Sequence, residues 1–326
     1  MRLRLITILL MLPLLCGCVA RLAPEGPFVD PPEETSQAFI MPDGTRLHYR
    51  VWAPAGPPKA IILALHGMND SRDAWEFPAA AFTAAGVEIV SPDQRGFGST
   101  LQRGYWPGTA TLVDDARHMV LLLHAAHPHV PLIAMGESMG GAVLMCLATS
   151  RDPPPVSGYI LVSPAVWGRS EMNIFERVGL WVGSRTFPGM TFTGAVAHVT
   201  ASDNRAAIER LSTDPLTIHH TRVDAVNGLV NLMSAALAAA PHFHAHALFL
   251  YGGKDELVPK RAMRAAWESL PAGEEIAYYP DDYHLMLRDL GRSVPIDDVL
   301  SWIFHPNAPL PSGADRAAEA WLKGST

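Results

Sequence analysis

Gly136-Glu137-Ser138-Met139-Gly140 holds the residue with the clearest chemical potential in the chain. A serine hydroxyl is a weak nucleophile at neutral pH. It attacks a carbonyl carbon only when a base within hydrogen-bond reach takes its proton and a carboxylate holds that base in the right tautomer. Here the serine follows the apolar run 131–135 (PLIAM) and precedes the apolar stretch 142–148 (AVLMCLA). A strand turning sharply into a helix at such a sequence, with glycines to permit the turn, projects the serine oxygen at the carboxyl edge of a sheet. The helix behind it aims the positive end of its dipole at a developing oxyanion. The chemistry expected of Ser138 is acyl transfer through a covalent intermediate.

The base and the acid should lie at the ends of later strands, in the chain order Ser, acid, His. Residues 248–255 (LFLYGGKD) read as a strand entering a Gly turn and ending on Asp255, and 275–284 (EIAYYPDDYH) as a strand leading to His284. Asp281 and Asp282 lie only three and two residues before the histidine, so they would have to fold back along their own loop, and Glu256 is longer and looser. Asp255 is therefore the candidate acid and His284 the candidate base. A tetrahedral oxyanion also needs two fixed donors. Backbone N–H groups serve, from Met68 after the strand 60–65 (AIILAL) and from Met139 after the nucleophile. His66, in the His-Gly pair beside Met68, is read as support for the loop.

These positions require a sheet. Strands are expected at 38–41, 46–52, 60–65, 87–91, 131–135, 158–162, 247–251 and 275–279, and helices at 73–85, 111–127, 139–150, 259–270 and 296–304. Continuously apolar strands such as AIILAL suit a parallel sheet covered on both faces. The alternation implies a mostly parallel, doubly wound sheet of about eight strands. It breaks between about 167 and 241, which reads as an inserted helical cap. The organisation is therefore 1–17 signal, 18–36 tether, 37–165 first part of the core, 166–244 helical cap and 245–326 second part of the core.

The chain has 326 residues, 48% of them hydrophobic, enough for one large core, and a formal net charge of −7. Lys and Arg are scattered along it, which argues against nucleic acid as a partner. The amino terminus, MRLRLITILLMLPLLCGC, joins two arginines to an apolar run and reads as an export signal. Leu15-Cys16-Gly17-Cys18 is similar to the bacterial lipobox, so Cys18 is expected to begin the mature protein and to carry lipid; Cys16 is an unusual residue at its position in that pattern. The expected location is the cell envelope. Val19, in place of the aspartate that retains many lipoproteins in an inner membrane, favours the outer membrane. The Pro- and Glu-rich residues up to 36 would then form a flexible tether. Cys146 would remain as a buried, inert thiol. His242, His244 and His246 alternate but have no carboxylate or cysteine to complete a metal site, so no metal and no cofactor is expected.

With these residues in place, the chain resembles the monoacylglycerol lipase and lysophospholipase branch of the α/β-hydrolases, a resemblance that extends to serine aminopeptidase S33-type domains. The matching segments, HGMND, SPDQRGFGST, GESMGGA, YGGKDELVP and YHLMLRD, span about Phe39 to Asp289. Phe97 departs from a histidine frequent in the Arg-Gly-x-Gly loop, and the cap shows little specific similarity. The resemblance implies the α/β-hydrolase fold with a helical cap, no cofactor, and hydrolysis of carboxylic esters of lipids or small acyl esters. It places the nucleophile at Ser138, the acid at Asp255, the base at His284 and the oxyanion donors at Met68 and Met139. Two alternatives stand beside ester hydrolysis: the same triad cleaving a peptide, thioester or lactone, and a catalytically inactive envelope lipoprotein. The sequence leaves the oligomeric state open.

Overall fold

The structure is a computed structural model that describes residues 20–193 and 199–324. The signal segment, Cys16 and Cys18 lie outside the described residues.

Among these residues the strands are β1 (Glu33–Glu34), β2 (Ala38–Ile40), β3 (Arg46–Trp52), β4 (Ala60–Leu65), β5 (Val87–Pro92), β6 (Leu132–Glu137), β7 (Gly158–Val162), β8 (Thr191–Phe192), β9 (Thr221–Arg222), β10 (Ala247–Gly252) and β11 (Glu275–Tyr279). The helices are α1 (Glu76–Ala84), α2 (Thr109–Ala126), α3 (Met139–Ala148), α4 (Ile174–Thr186), α5 (Arg205–Thr213), α6 (Val223–Ala239), α7 (Lys260–Ser269), α8 (Ser293–Phe304) and α9 (Ala314–Leu322). One sheet runs β1-β2-β3-β5-β4-β6-β7-β10-β11. The pairings from β1 through β3 to β5 are antiparallel, and those from β5 to β11 are parallel.

Strand periodicity explains the unbroken apolar runs. In β4, Ile61, Leu63 and Leu65 enter the core on one face of the sheet, whereas Ile62 and Ala64 enter the core on the other. Apolar side chains of α2, α3 and α7 fill the first core, and those of α1 and α8 fill the second. All eight strands expected from the sequence are present. The ninth, β1, is two residues long and falls in the segment read as a tether.

That reading needs correction over its described part. Leu22 forms a bridge with Trp106, the Ala23 N–H donates to the Trp106 carbonyl at 2.9 Å, and the Arg21 N–H donates to Asp224 Oδ2 at 3.2 Å. Composition reports how little apolar surface a segment can bury. It does not report whether its backbone donors find acceptors on the folded domain.

The insertion after β7 is not purely helical either: β8 and β9 pair as a short antiparallel ribbon among α4, α5 and α6. Asn173 and Glu176 form a capping box that starts α4. The apolar helix α6 packs on both α3 and α4. α9, for which no expectation was made, closes the β11 edge by placing Trp321 against Tyr251, Trp267 and Tyr278.

Candidate active site

β6 ends at Glu137 and α3 begins at Met139, so Ser138 alone makes the turn, at φ 54° and ψ −113°. A positive φ is strained for a side chain with a Cβ and persists only where the surroundings enforce it. Three backbone hydrogen bonds do so. The Ser138 N–H donates to the Val162 carbonyl at 2.9 Å, and the Ser138 carbonyl accepts from Ala142 at 3.0 Å and Ala165 at 2.9 Å. The flanking glycines are needed because the backbone passes so closely here. A Cβ on Gly136 would lie 2.5 Å from the Gly140 carbonyl carbon, and one on Gly140 would collide with the Leu65 carbonyl.

The loop after β4 lies against this elbow: a Cβ on Gly67 would touch the Ser138 Cβ at 3.4 Å. His66 is fully buried, with Nε2 accepting from the Gln94 N–H at 3.1 Å. The ring proton must then be on Nδ1, which donates to the Gly67 carbonyl at 2.7 Å. Burial holds the His66 pKa below its ordinary value, and the ring supports the loop as expected. The Met139 N–H belongs to the first turn of α3, where backbone donors have no partner within the helix. Met68 and Ser138 line the same cleft.

Asp255 and His284 meet across the ends of β10 and β11. His284 Nδ1 and Asp255 Oδ2 are 2.7 Å apart, both residues are buried, and Asp255 Oδ1 accepts from the N–H groups of Leu257 at 2.8 Å and Val258 at 2.9 Å. The two loops can approach because Gly252 has no side chain; a Cβ there would sit 2.5 Å from the carbonyl oxygens of Asp282 and Tyr283. Burial works to lower the His284 pKa, but the charge and hydrogen bond of Asp255, helped by Glu137, outweigh it and leave the group above its ordinary 6.5. Two of the competing carboxylates have other partners. Asp281 is exposed and pairs with Lys254 at 2.9 Å, and Glu256 accepts from the Thr200 N–H at 2.7 Å. Asp282 is raised to about 7 by burial and by the neighbouring charges of Asp289, Asp203 and Asp281.

A second buried group joins the same three loops. Arg288 Nη2 donates to Asp70 Oδ2 at 2.7 Å and to Glu137 Oε1 at 2.9 Å, and none of the three residues is more than 6% exposed. Asp70 follows the Met68 loop, Glu137 precedes Ser138, and Arg288 follows His284. All three fall within the segments HGMND, GESMGGA and YHLMLRD, yet the sequence reading gave them no role. The available signal was weak: Glu137 is the one charge in its segment, but Asp70 is followed by Arg72 and Asp73, and Arg288 by Asp289.

Ser138 and His284 open on one cleft of about 510 Å³, walled by Met68, Ile208, Leu211, Ile218, Leu257 and Leu285. The cap is tied to both loops beneath it. Asn69 Nδ2 donates to Thr221 Oγ1 at 2.7 Å, and the Leu285 N–H donates to the Ala201 carbonyl at 2.9 Å. Asn204, the N-cap of α5, donates from Nδ2 to the Arg288 carbonyl at 2.7 Å. The arrangement combines a strained serine, a carboxylate-oriented imidazole and an apolar chamber, which together suit attack on an acyl carbon.

Elsewhere, Cys146 is only partly buried, and burial pushes its thiol up to about 11, so it stays protonated at neutral pH. His242 lies in a short 3-10 turn, His244 is exposed, and His246 stacks on Trp302 at 4.4 Å, so the three do not alternate along a strand. Among the described residues, no three His, Cys, Asp or Glu side chains are grouped to hold a metal ion.

A family model described as serine aminopeptidase, S33, matches residues 56–291. Monoacylglycerol lipase of Mycolicibacterium smegmatis is 26% identical over 273 residues, covering 82% of this chain and 96% of that protein. Monoglyceride lipase of Rattus norvegicus is 26% identical over 274 residues, covering 82% and 89%. Among solved structures, the monoacylglycerol lipase of Paleococcus ferrophilus superposes with a TM-score of 0.66 at 20% identity, over 79% of this chain and 98% of that one.

Proposed function

We propose, from the premise that the chain belongs to the serine aminopeptidase S33 family, that it hydrolyses carboxylic esters of the monoacylglycerol or lysophospholipid type. Ser138 would act as nucleophile, His284 as base and Asp255 as the orienting acid. The observation that carries this reading is the 2.7 Å contact between His284 Nδ1 and Asp255 Oδ2, made by a histidine that lines the cleft of a strained Ser138. In that arrangement Nε2 takes the serine proton as Oγ attacks the ester carbon. The N–H groups of Met68 and Met139 receive the oxyanion, and the imidazolium returns the proton to the departing alcohol. Water then attacks the acyl-enzyme by the same route in reverse and releases the acid. The lipase names of the relatives and the apolar walls of the cleft favour a lipid ester over a peptide, which the family description alone would suggest.

A fluorophosphonate should label Ser138 and no other serine, and Ser138→Ala should lose hydrolysis of p-nitrophenyl and monoacylglycerol esters by several orders of magnitude. Labelling that survives in this variant sinks the assignment. Full labelling with turnover confined to thioesters, lactones or peptides would keep the triad and replace the substrate.

The location of the protein is a separate proposal: an envelope lipoprotein anchored through lipid on Cys18, with Val19 favouring the outer membrane. The supports are the arginines at 2 and 4, the apolar run and Leu15-Cys16-Gly17-Cys18. Expressed in a bacterium, the wild type should incorporate labelled fatty acid and Cys18→Ser should not. Equal membrane binding by both without label would point to an uncleaved helix.

A further inference from the structure

Residues 21–29 lie outside the stretch 56–291 matched by the family model and take no part in ester hydrolysis as described, yet a row of backbone hydrogen bonds fixes them. One end is held on the core. The Val29 N–H donates to the Pro42 carbonyl at 2.7 Å, the Gly26 N–H to Asp43 Oδ2 at 2.9 Å and the Glu25 N–H to Thr111 Oγ1 at 3.4 Å. The other end reaches the cap. The Ala23 N–H donates to the Trp106 carbonyl at 2.9 Å, beside the bridge between Leu22 and Trp106, and the Arg21 N–H donates at 3.2 Å to Oδ2 of Asp224 in the first turn of α6.

These outer bonds hold the seat on which the cap rests. Arg103 Nη2 donates to the Thr217 carbonyl at 2.6 Å, and the Arg222 guanidinium lies 4.7 Å over the Tyr105 ring. The buried Trp106 ring packs so closely on α6 that a Cβ on Gly228 would fall 2.3 Å from it. Residues 103–106 therefore touch three parts of the cap: the loop after α5, β9 and α6. The Asp224 carboxylate grips Arg222 at 2.9 and 2.6 Å, so the Arg21 donor bears on the same group that covers Tyr105.

The seat borders the Ser138 cleft. Thr217 and Ile218 wall that cleft, and Met68, Trp106, Ile218 and Arg222 line one small interior space beside it. The Ile218 N–H donates to the Asn69 carbonyl at 2.8 Å, next to Met68. The cap also supplies Ile208 and Leu211, so a shift of the cap moves much of the apolar wall, whereas Ser138, Asp255 and His284 all stand on the core. Close-packed interiors transmit such a displacement. Contacts along an apolar pocket add up methylene by methylene, so a displaced wall weakens a long acyl chain more than a short one.

We propose that residues 21–26 are a strap that positions the cap through Trp106 and thereby sets how the cleft holds a long acyl chain. The proposal rests on the ester-hydrolase reading. The strap acts on the acyl chamber and leaves the chemistry at Ser138 unchanged. Its attachment at the cap end is two backbone donors flanking the exposed Leu22, a contact that can open locally without unfolding the core.

The test keeps the full chain and removes both cap-end donors with Arg21→Pro and Ala23→Pro together, since proline has no N–H. kcat and KM are measured for p-nitrophenyl acetate and p-nitrophenyl laurate, with amide hydrogen exchange read over 103–106 and 221–228. KM for the laurate should rise about fivefold with kcat within about twofold, and both constants for the acetate should stay within about twofold. Exchange should quicken in both segments while β4 and β6 keep theirs. Gly228→Ala, which forces the Trp106 ring off α6 with the strap donors left in place, should raise the laurate KM as well. Equal losses on the two esters, a laurate KM unchanged in either variant, or exchange unchanged in the proline variant would each overturn the proposal. Failure of the proline variant to fold would overturn it too, by making the segment part of the scaffold. A wild type that hydrolyses neither ester would instead overturn the ester-hydrolase reading, and the strap proposal with it.

Discussion

Asp255→Asn separates the role of a charge from that of a hydrogen-bond acceptor, and the local geometry dictates how the amide must sit. Asp255 Oδ1 accepts two backbone donors, from Leu257 at 2.8 Å and Val258 at 2.9 Å. An asparagine NH2 placed there would face two N–H groups, so the amide oxygen keeps that side and the NH2 turns toward His284. The imidazole can meet a donor only by presenting a lone pair at Nδ1, which moves the ring proton to Nε2, the nitrogen that must accept from Ser138. The fold loses little, since both backbone bonds remain. The expected fall in kcat is about 10³ to 10⁴, the scale for this change in a Ser-His-Asp site, or about 4–5.5 kcal/mol of transition-state stabilisation. The assay is kcat for a p-nitrophenyl ester at pH 8 beside the thermal midpoint, with Asp281→Asn, Asp282→Asn and Glu256→Gln as controls that should cost about tenfold or less. A loss below about tenfold at Asp255, or a larger loss at Asp281 or Asp282 than at Asp255, would refute the reasoning.

Two further outcomes are expected. Because the His284 pKa is raised and the base must be neutral, kcat/KM should fall on the acid side with an apparent pKa above 6.5; Asp255→Asn should move that limb to lower pH, and a profile flat from about pH 5 to 8 would contradict a histidine base. Arg288→Met should destabilise by about 3–5 kcal/mol in urea titration by stranding Asp70 and Glu137 without their cation, and adding Asp70→Asn and Glu137→Gln should recover part of it; a loss under about 1 kcal/mol would show that the buried pairs are dispensable.

The residues that were legible in the sequence share a physical property: each is announced by its own neighbours. The close packing of β6, α3 and β4 at Gly136 and Gly140 forces glycine beside Ser138, and the approach of two loops forces it at 252, so steric necessity writes the Ser138 and Asp255 loops into the residue types. Continuous apolar strands followed from a sheet buried on both faces for the same reason. What stayed hidden depends on partners distant in sequence. Arg288 is 218 residues from Asp70 and 151 from Glu137, so nothing local to any of them signals a shared site. The backbone donors that strap residues 21–23 to Trp106 and Asp224 carry no side-chain signature at all. The cap lies between these cases: its helical character follows from the break in strand alternation, but which of its faces is left uncovered is settled only when α4 is laid on α6, and that placement is what gathers Arg169, Arg177 and Arg185 around Trp181. A sequence reading therefore reaches first the loops around Ser138, Asp255 and His284, because close backbone approaches constrain them locally, and reaches last the surfaces that only the packing of distant segments creates.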